Sequence, residues 1–355
     1  MPTQILVWLL AATALGLGGC KGPRPLAAPA APLTPPSRLC AVGEKPPACR
    51  SAHQIEKLLG ERLQILGMAP TPSGQQGAKI LTLRVKVGAR DVVFRAKWRA
   101  QSSSSIVNEP RKELAAHAVQ KLFLDETELA APPTVAHCFP LAEYRAFVAD
   151  ERASIDGIDC VLGFVSYWLE SVRTASSARQ DGLLSGTGES FWDAKLFEKD
   201  PMYRSSAAKT NLLTYVIRHG DPHNAQFLLE QTPQGLRTYV VDNSIGFRSI
   251  KNPIYFIRED WSKIRVPRLP QRAVERLRAL TDEDFAGLAT VTELERQGRQ
   301  LVRVATPAAV TSDESAMSWH GSRLRIGLTR GEIELVQSRI RDLLARPDLA
   351  QLVEP

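Results

Sequence analysis

Apolar and polar residues alternate through Ile80-Leu81-Thr82-Leu83-Arg84-Val85-Lys86-Val87 and again through Asp91-Val92-Val93-Phe94-Arg95-Ala96-Lys97-Trp98, on either side of Gly88-Ala89-Arg90. A period of two on both sides of a glycine-bearing turn predicts a β-hairpin. Upstream the period lengthens: Ile55, Leu58, Leu59, Leu63 and Leu66 share one side of a helix expected over residues 51–66. Residues 101–107 are polar and serine-rich and read as a mobile loop. Asn108 can cap the next helix and Pro110 suits its first turn. That helix, running to about Leu124, would pack Leu114, Ala115, Ala118, Leu122 and Phe123 inward, with Glu113 projecting away from the apolar stripe. Residues 135–139 and 161–165 read as two further strands, and past Leu169 the pattern turns mostly helical, notably over 272–280, 284–291 and 330–345. The expected fold class is α+β, with a small sheet-bearing part over 51–169 followed by a larger helical part over 170–355. No internal repeat is found.

The first fifty residues follow different rules. Residues 5–17 are apolar and uncharged, too short to span a bilayer comfortably, and end in Leu17-Gly18-Gly19-Cys20. Small residues before a cysteine resemble the lipobox of bacterial lipoproteins, so 1–20 is expected to be a signal peptide with Cys20 lipidated. An uncleaved membrane anchor is the alternative. Residues 21–50, rich in Pro and Ala, read as an extended tether from that membrane. The expected location is the bacterial cell envelope, outside the cytoplasm. Four cysteines remain after Cys20: Cys40, Cys49, Cys138 and Cys160. In an exported chain they suggest disulfides; three pairings are possible, and proximity favours Cys40–Cys49 with Cys138–Cys160. No CxxC or Cys/His cluster suggests zinc.

Charge adds little by itself. The net charge is +7, from 45 basic and 38 acidic residues, and no aromatic-basic interleaving points to nucleic acid. The chemistry lies in two loops led by aspartate. One is Arg218-His219-Gly220-Asp221-Pro222-His223-Asn224-Ala225-Gln226, and the other is Asp242-Asn243-Ser244-Ile245-Gly246-Phe247. The aspartates stand 242 − 221 = 21 positions apart. An Asx-turn explains either loop alone. It does not explain both in this order behind a lysine strand and a glutamate helix. Phosphoryl transfer is mostly positioning and charge neutralisation, which needs such a layout. Lys97 would neutralise phosphate oxygens with Glu113 as its partner; Arg95, on the same strand face, is its rival. Asp221 would orient the attacking hydroxyl. Asp242 would hold Mg²⁺ or Mn²⁺ with Gln226 or Asn224. His219 would support its loop by hydrogen bonds, and Asn243 and Gly246 would shape theirs. Ser73-Gly74-Gln75-Gln76-Gly77 is the candidate glycine-rich phosphate loop.

These pieces resemble the atypical kinases that include phosphatidylinositol 3/4-kinases and the secretory-pathway kinases that phosphorylate casein-like proteins. The resemblance spans about residues 80–250. It rests on Val93-Phe94-Arg95-Ala96-Lys97, Glu113-Leu114-Ala115-Ala116-His117, Pro132-Pro133-Thr134-Val135, Asp221-Pro222-His223-Asn224-Ala225-Gln226 and Asp242-Asn243-Ser244-Ile245-Gly246-Phe247. Pro222 stands where the family often has arginine, and Gln226 replaces an Asn or acidic ligand. The resemblance implies a two-lobed protein-kinase-like fold and ATP as phosphate donor. The acceptor would be a hydroxyl on protein, sugar or lipid headgroup. A pseudokinase that binds a partner without catalysis is the alternative.

Overall fold

Helix α1 (Ala52–Gly60) begins at a capping box, in which the Gln54 amide donates to Ser51 Oγ and the Ser51 amide to Gln54 Oε1. The structure is a computed structural model and describes residues 37–45, 49–72, 77–103, 108–185, 191–220, 224–247, 260–306 and 315–354. The helix buries Ile55 and Leu59 and stops at Gly60 rather than at residue 66. Leu63 and Ile65 are instead alternate buried positions of strand β1 (Leu63–Pro70). Glycine is a poor helix former, and beyond it the period of two decides.

Strands β2 (Lys79–Val87) and β3 (Arg90–Ala100) form the expected hairpin, turning at Gly88 with φ +60°. Helix α2 (Arg111–Lys121) follows, then β4 (Thr134–Pro140) and β5 (Cys160–Tyr167). The five strands make one antiparallel sheet in the order β1-β2-β3-β5-β4. Phe94, Ala96 and Trp98 point from β3 into the main core. Arg95, Lys97 and Arg99 therefore share the opposite face. Register sets Lys97 beside Ser166, and Ser166 beside Thr134.

Asn108 does not cap α2: Pro110 holds the cap position and makes no side-chain cap bond. Glu113 does not reach solvent either. The helix is buried nearly all round, because its second side is covered as well as its first. The cover at Glu113 is the Asn243–Ile245 turn, while Leu114 meets a four-stranded sheet that the sequence pattern did not predict.

After β6 (Val172–Thr174), helix α3 (Pro201–Val216), β7 (Phe227–Thr232) and β8 (Gly235–Val240), the chain forms α4 (Gln271–Ala279). Further on come β9 (Thr292–Gln297), β10 (Gln300–Val304), β11 (Met317–His320), β12 (Arg323–Ile326) and α5 (Arg330–Leu344), among shorter pieces. The second half is thus not mostly helical. It holds an antiparallel sheet in the order β8-β7-β6 and another in the order β10-β9-β12-β11. The helix expected over 284–291 is a short one at Asp282–Ala286 with a 3₁₀ turn to Ala289, handing over to β9. The β9–β10 hairpin turns at Gly298, φ +64°. The alternation is broken because Arg296 and Arg303 share the face of Leu294 and Leu301 while Val302 and Val304 lie on the other; Leu294 and Leu301 face inward. With Leu324 and Ile326 they pack on Leu114 of α2 and on Leu162 and Phe164 of β5 as a second core.

The cysteines pair as Cys40–Cys49 and Cys138–Cys160, with Cα–Cα distances of 4.8 and 5.5 Å. Two disulfides mark a chain that matures in an oxidising, non-cytoplasmic compartment. The tether expected to reach residue 50 ends earlier. Residues 38–39 pair with 49–50, Leu39 and Ala41 are buried, and Arg38 bonds Glu230 of β7. No helix among the described residues is long and apolar enough to cross a membrane.

Candidate functional site

Four charged side chains from three distant stretches of sequence meet on the Lys97 face of β3. The Lys97 ammonium lies 2.8 Å from Glu113 Oε1 and 3.2 Å from Asp242 Oδ1. Arg99 donates to Asp242 Oδ1 at 3.1 Å and to Ser244 Oγ at 2.9 Å. Ser244 Oγ donates to the same Asp242 oxygen at 3.1 Å. Glu113 Oε2 accepts from the Asn243 amide at 3.0 Å. The glutamate thus holds Lys97 with one oxygen and the 242–247 loop with the other.

Each element is placed for a local reason. Asp242 takes a left-handed backbone (φ 63°, ψ 48°), a conformation that Asp tolerates better than most residues, and opens the 3₁₀ turn Asn243–Ile245. Strain of this kind concentrates at functional loops. Phe247 is also at positive φ (59°) and donates its amide to Ile217 O at 2.6 Å. Gly220 packs against the same turn so closely that a Cβ there would sit 2.8 Å from Ile245 O. His219 is buried, and its amide donates to Thr214 O at 2.9 Å. The two aspartate loops are therefore pressed together at 219–220 and 245.

The cluster borders a cavity of about 590 Å³. Its lining combines the charged Lys97, Arg99, Glu113 and Asp242 with apolar and aromatic residues that include Ala78, Pro132, Tyr167, Trp168, Leu169 and Leu228. Thr134 and Ser166, hydrogen-bonded at 2.8 Å, sit in its wall. A concave site of this size with few convergent polar groups is what small-molecule binding needs.

Burial lowers the pKa of Lys97, but Asp242 and Glu113 outweigh it despite opposition from Arg99, so the ammonium stays charged above the ordinary lysine range. Burial raises that of Asp242, and Lys97 and Arg99 more than reverse it, holding the carboxylate far below its usual value. All the contacts on Asp242 fall on Oδ1; Oδ2 takes no hydrogen bond from a described residue. The side chain keeps 38 % of its exposure.

The sequence matches no known protein-family model, and no curated protein matches it. The site therefore rests on its own geometry. The structure brings Lys97, Glu113, Asp242 and Gln226 to one cavity. Gln226 is buried, and its backbone carbonyl accepts from the Val241 amide at 2.8 Å. Asn224 belongs to the 3₁₀ turn Asn224–Gln226, and the placement of its side chain lies outside the described residues. Asp221 and Cys20 lie outside them too, as do residues 73–76 of the glycine-rich candidate, whose flanks Pro72 and Ala78 line the cavity. Arg95 is not brought to the cluster. It points along the same strand face but pairs with Glu170, its Nε 2.8 Å from Oε1, and lies 5.9 Å from the Trp168 ring.

Sequence reasoning missed Arg99 and Ser244. The signal for Arg99 was present, because a strand residue two positions after Lys97 must share its face. No local signal marks Ser244. Among the described residues no group of three or more His, Cys, Asp or Glu side chains comes together as a metal site. Asp242 Oδ2 is nevertheless a hard anionic oxygen held beside the cavity, which fits one Mg²⁺ or Mn²⁺ completed by substrate oxygens and water.

Proposed function

We propose that this chain is an exported, lipid-anchored atypical kinase with a two-lobed kinase-like plan, which transfers the γ-phosphate of ATP to a hydroxyl acceptor. The observation that carries the reading is the ion-pair chain Glu113–Lys97–Asp242 beside a 590 Å³ cavity. Three residues marked for phosphate and metal work by their order in the sequence converge there. The cavity's apolar and aromatic lining has the character to seat a flat heteroaromatic base, and its charged residues to hold phosphates. Lys97, fixed by Glu113, would neutralise nonbridging oxygens. Mg²⁺ or Mn²⁺, held by Asp242 with Gln226 or Asn224, would supply further neutralisation of the phosphates. In the transfer, the acceptor oxygen bonds to the γ-phosphorus as the bond to the β–γ bridging oxygen breaks. ADP leaves, and the hydroxyl proton goes to Asp221. Cys20 would carry the lipid and tether the chain to the envelope membrane; the two disulfides support export.

One observation favours a second reading. Asp242 Oδ1 is claimed by two cations at once, which suits a site that binds nucleotide or partner without turnover. The test common to both is thermal shift of the chain lacking residues 1–20, with ATP and either metal, beside Asp242→Ala. Metal-dependent stabilisation lost in the variant supports a nucleotide site, and radiolabelled phosphate transfer then separates kinase from pseudokinase. No shift with either metal removes the nucleotide reading.

A further inference from the structure

We infer that the segment around Cys40 and Cys49 is a redox-sensitive brace on the cavity, closed by the disulfide between them. The cavity is lined by two sheets. Lys97, Thr134 and Ser166 border it from the five-stranded sheet, and Val172, Thr174 and Leu228 from the sheet β8-β7-β6. Residues 168–171 join the two sheets in sequence, and Ser171 takes a positive φ of 58° there. The width of the cavity therefore depends on what else holds the sheets together beside that join.

The brace supplies such a hold. At one end Arg38 donates to Glu230 Oε1 at 3.3 Å, and Arg237 donates to Cys40 O at 2.7 Å. Glu44, within the brace, lies 2.8 Å from the same Arg38 guanidinium and aims it. Val172, Glu230 and Arg237 stand in register across β6, β7 and β8, so the brace grips a rung that borders the cavity. Glu230 is also two residues from the cavity-lining Leu228, on the same face of β7. At the other end, residues 49–50 run into Ser51, the cap of α1, and α1 packs on β4 and β5 of the five-stranded sheet. Ser37 adjoins Tyr167, another residue of the cavity wall.

The two ends are joined by the pairing of 38–39 with 49–50 and by Cys40–Cys49. A ladder of two residues is marginal by itself, so the disulfide carries the link. It is also the more accessible of the two bridges: Cys40 is half-buried, whereas Cys49, Cys138 and Cys160 are buried. A dithiol reductant attacks the Cys40 sulfur through its thiolate. The S–S bond breaks, two thiols form with two electrons and two protons from the reductant, and the reductant closes to its own disulfide. The grip on Glu230 and Arg237 then loosens, and the two sheets are free to part around the cavity.

The experiment is hydrogen exchange of the whole chain as wild type and as Cys40→Ser/Cys49→Ser. The variant is expected to speed exchange over 168–174 and 228–238 about tenfold, and to leave 80–100 within about twofold of the wild type. Arg38→Gln keeps the disulfide and should give a smaller rise at the same residues, which preserves the comparison if the cysteine variant does not fold. Wild type titrated with dithiothreitol, then alkylated and read by mass spectrometry, should open Cys40–Cys49 before Cys138–Cys160 and show the exchange pattern of the cysteine variant. No rise over 168–174, or an equal rise throughout the chain, overturns the brace. Earlier opening of Cys138–Cys160 overturns its redox sensitivity.

Discussion

Two charged clusters flank the first turn of α2, and each contains two cations and two carboxylates. In one, Arg111 donates to both oxygens of Glu332 at 2.8 and 2.9 Å, to Glu109 Oε2 at 2.5 Å and to Gly327 O at 3.1 Å. Lys112 completes it, 2.8 Å from Glu109 Oε1 and 3.2 Å from Glu332 Oε1. Every carboxylate oxygen is used, and the group ties α2 to the start of α5. In the other, Lys97, Arg99, Glu113 and Asp242 have equal and opposite charge but leave one oxygen over beside a cavity. The lesson is that charge balance does not distinguish a strut from a site. A spare ligand atom next to open space does.

The largest expected effect breaks the strut. Glu332→Ala strands two buried cations and should cost about 3–5 kcal/mol in urea unfolding. Its pH dependence has a definite sign. Burial opposes ionisation of Glu332, but Arg111 and Lys112 outweigh it and depress the pKa. The stabilisation is therefore present above the unfolded carboxylate value of about 4.3 and fades as pH falls through the folded one. A loss under about 1 kcal/mol would mean the cluster is not closed against water.

Lys97→Met tests the opposite limb. With its pKa raised, Lys97 contributes stability that is complete below about 10.4 and lost as pH rises through the folded value. The stability difference between wild type and variant should thus shrink in strong alkali. The strut joins both oxygens of Glu332 to Arg111, which holds its proton more firmly than usual, so the larger part of its difference should persist. Matching alkaline profiles for the two clusters would erase the distinction drawn between them.

Asp242→Asn should cost about 1–3 kcal/mol, less than the strut variant, because the amide keeps an acceptor and the side chain is 38 % exposed, while the buried Arg99 and Lys97 lose a charge partner. The same variant should abolish any metal-dependent ATP shift. The smallest effect belongs to Arg95→Ala, an exposed pair with Glu170 that should change stability by less than about 1 kcal/mol and ATP affinity not at all. A large loss of ATP affinity in that variant would return the phosphate role to Arg95 over Lys97.

Much of the site was written in the sequence. Strand alternation put Arg95 and Lys97 on one face, Glu113 was read as the partner of Lys97, and Asp242 was read as a ligand of the same site. Alternation could not choose between Arg95 and Lys97, because the choice depends on Glu170, 75 residues away from Arg95. The hairpin and the α5 pattern were legible because their apolar periodicity is unbroken. The β9–β12 sheet was not, because Arg296 and Arg303 fall on the face of Leu294 and Leu301 and Val302 on the other, which breaks the period. Helix α3 was hard to read for a related reason. It buries Lys209, Thr210, Asn211 and Thr214, and the cost is met by distant partners such as Lys263 O for Asn211 and Glu128 for Lys209.

The sequence by itself determined the local periods, the turns at glycine, the neighbours on each strand face and the nearest cysteine pairs, since each depends on backbone geometry over a few residues. Tertiary structure decided that Glu113 is buried and which strand cation it holds. It also decided that Arg99 joins Asp242 and that one carboxylate oxygen remains over. Those outcomes depend on which distant chain segments exclude water from a charge, and in a low-dielectric interior that exclusion forces each ion to find its partner.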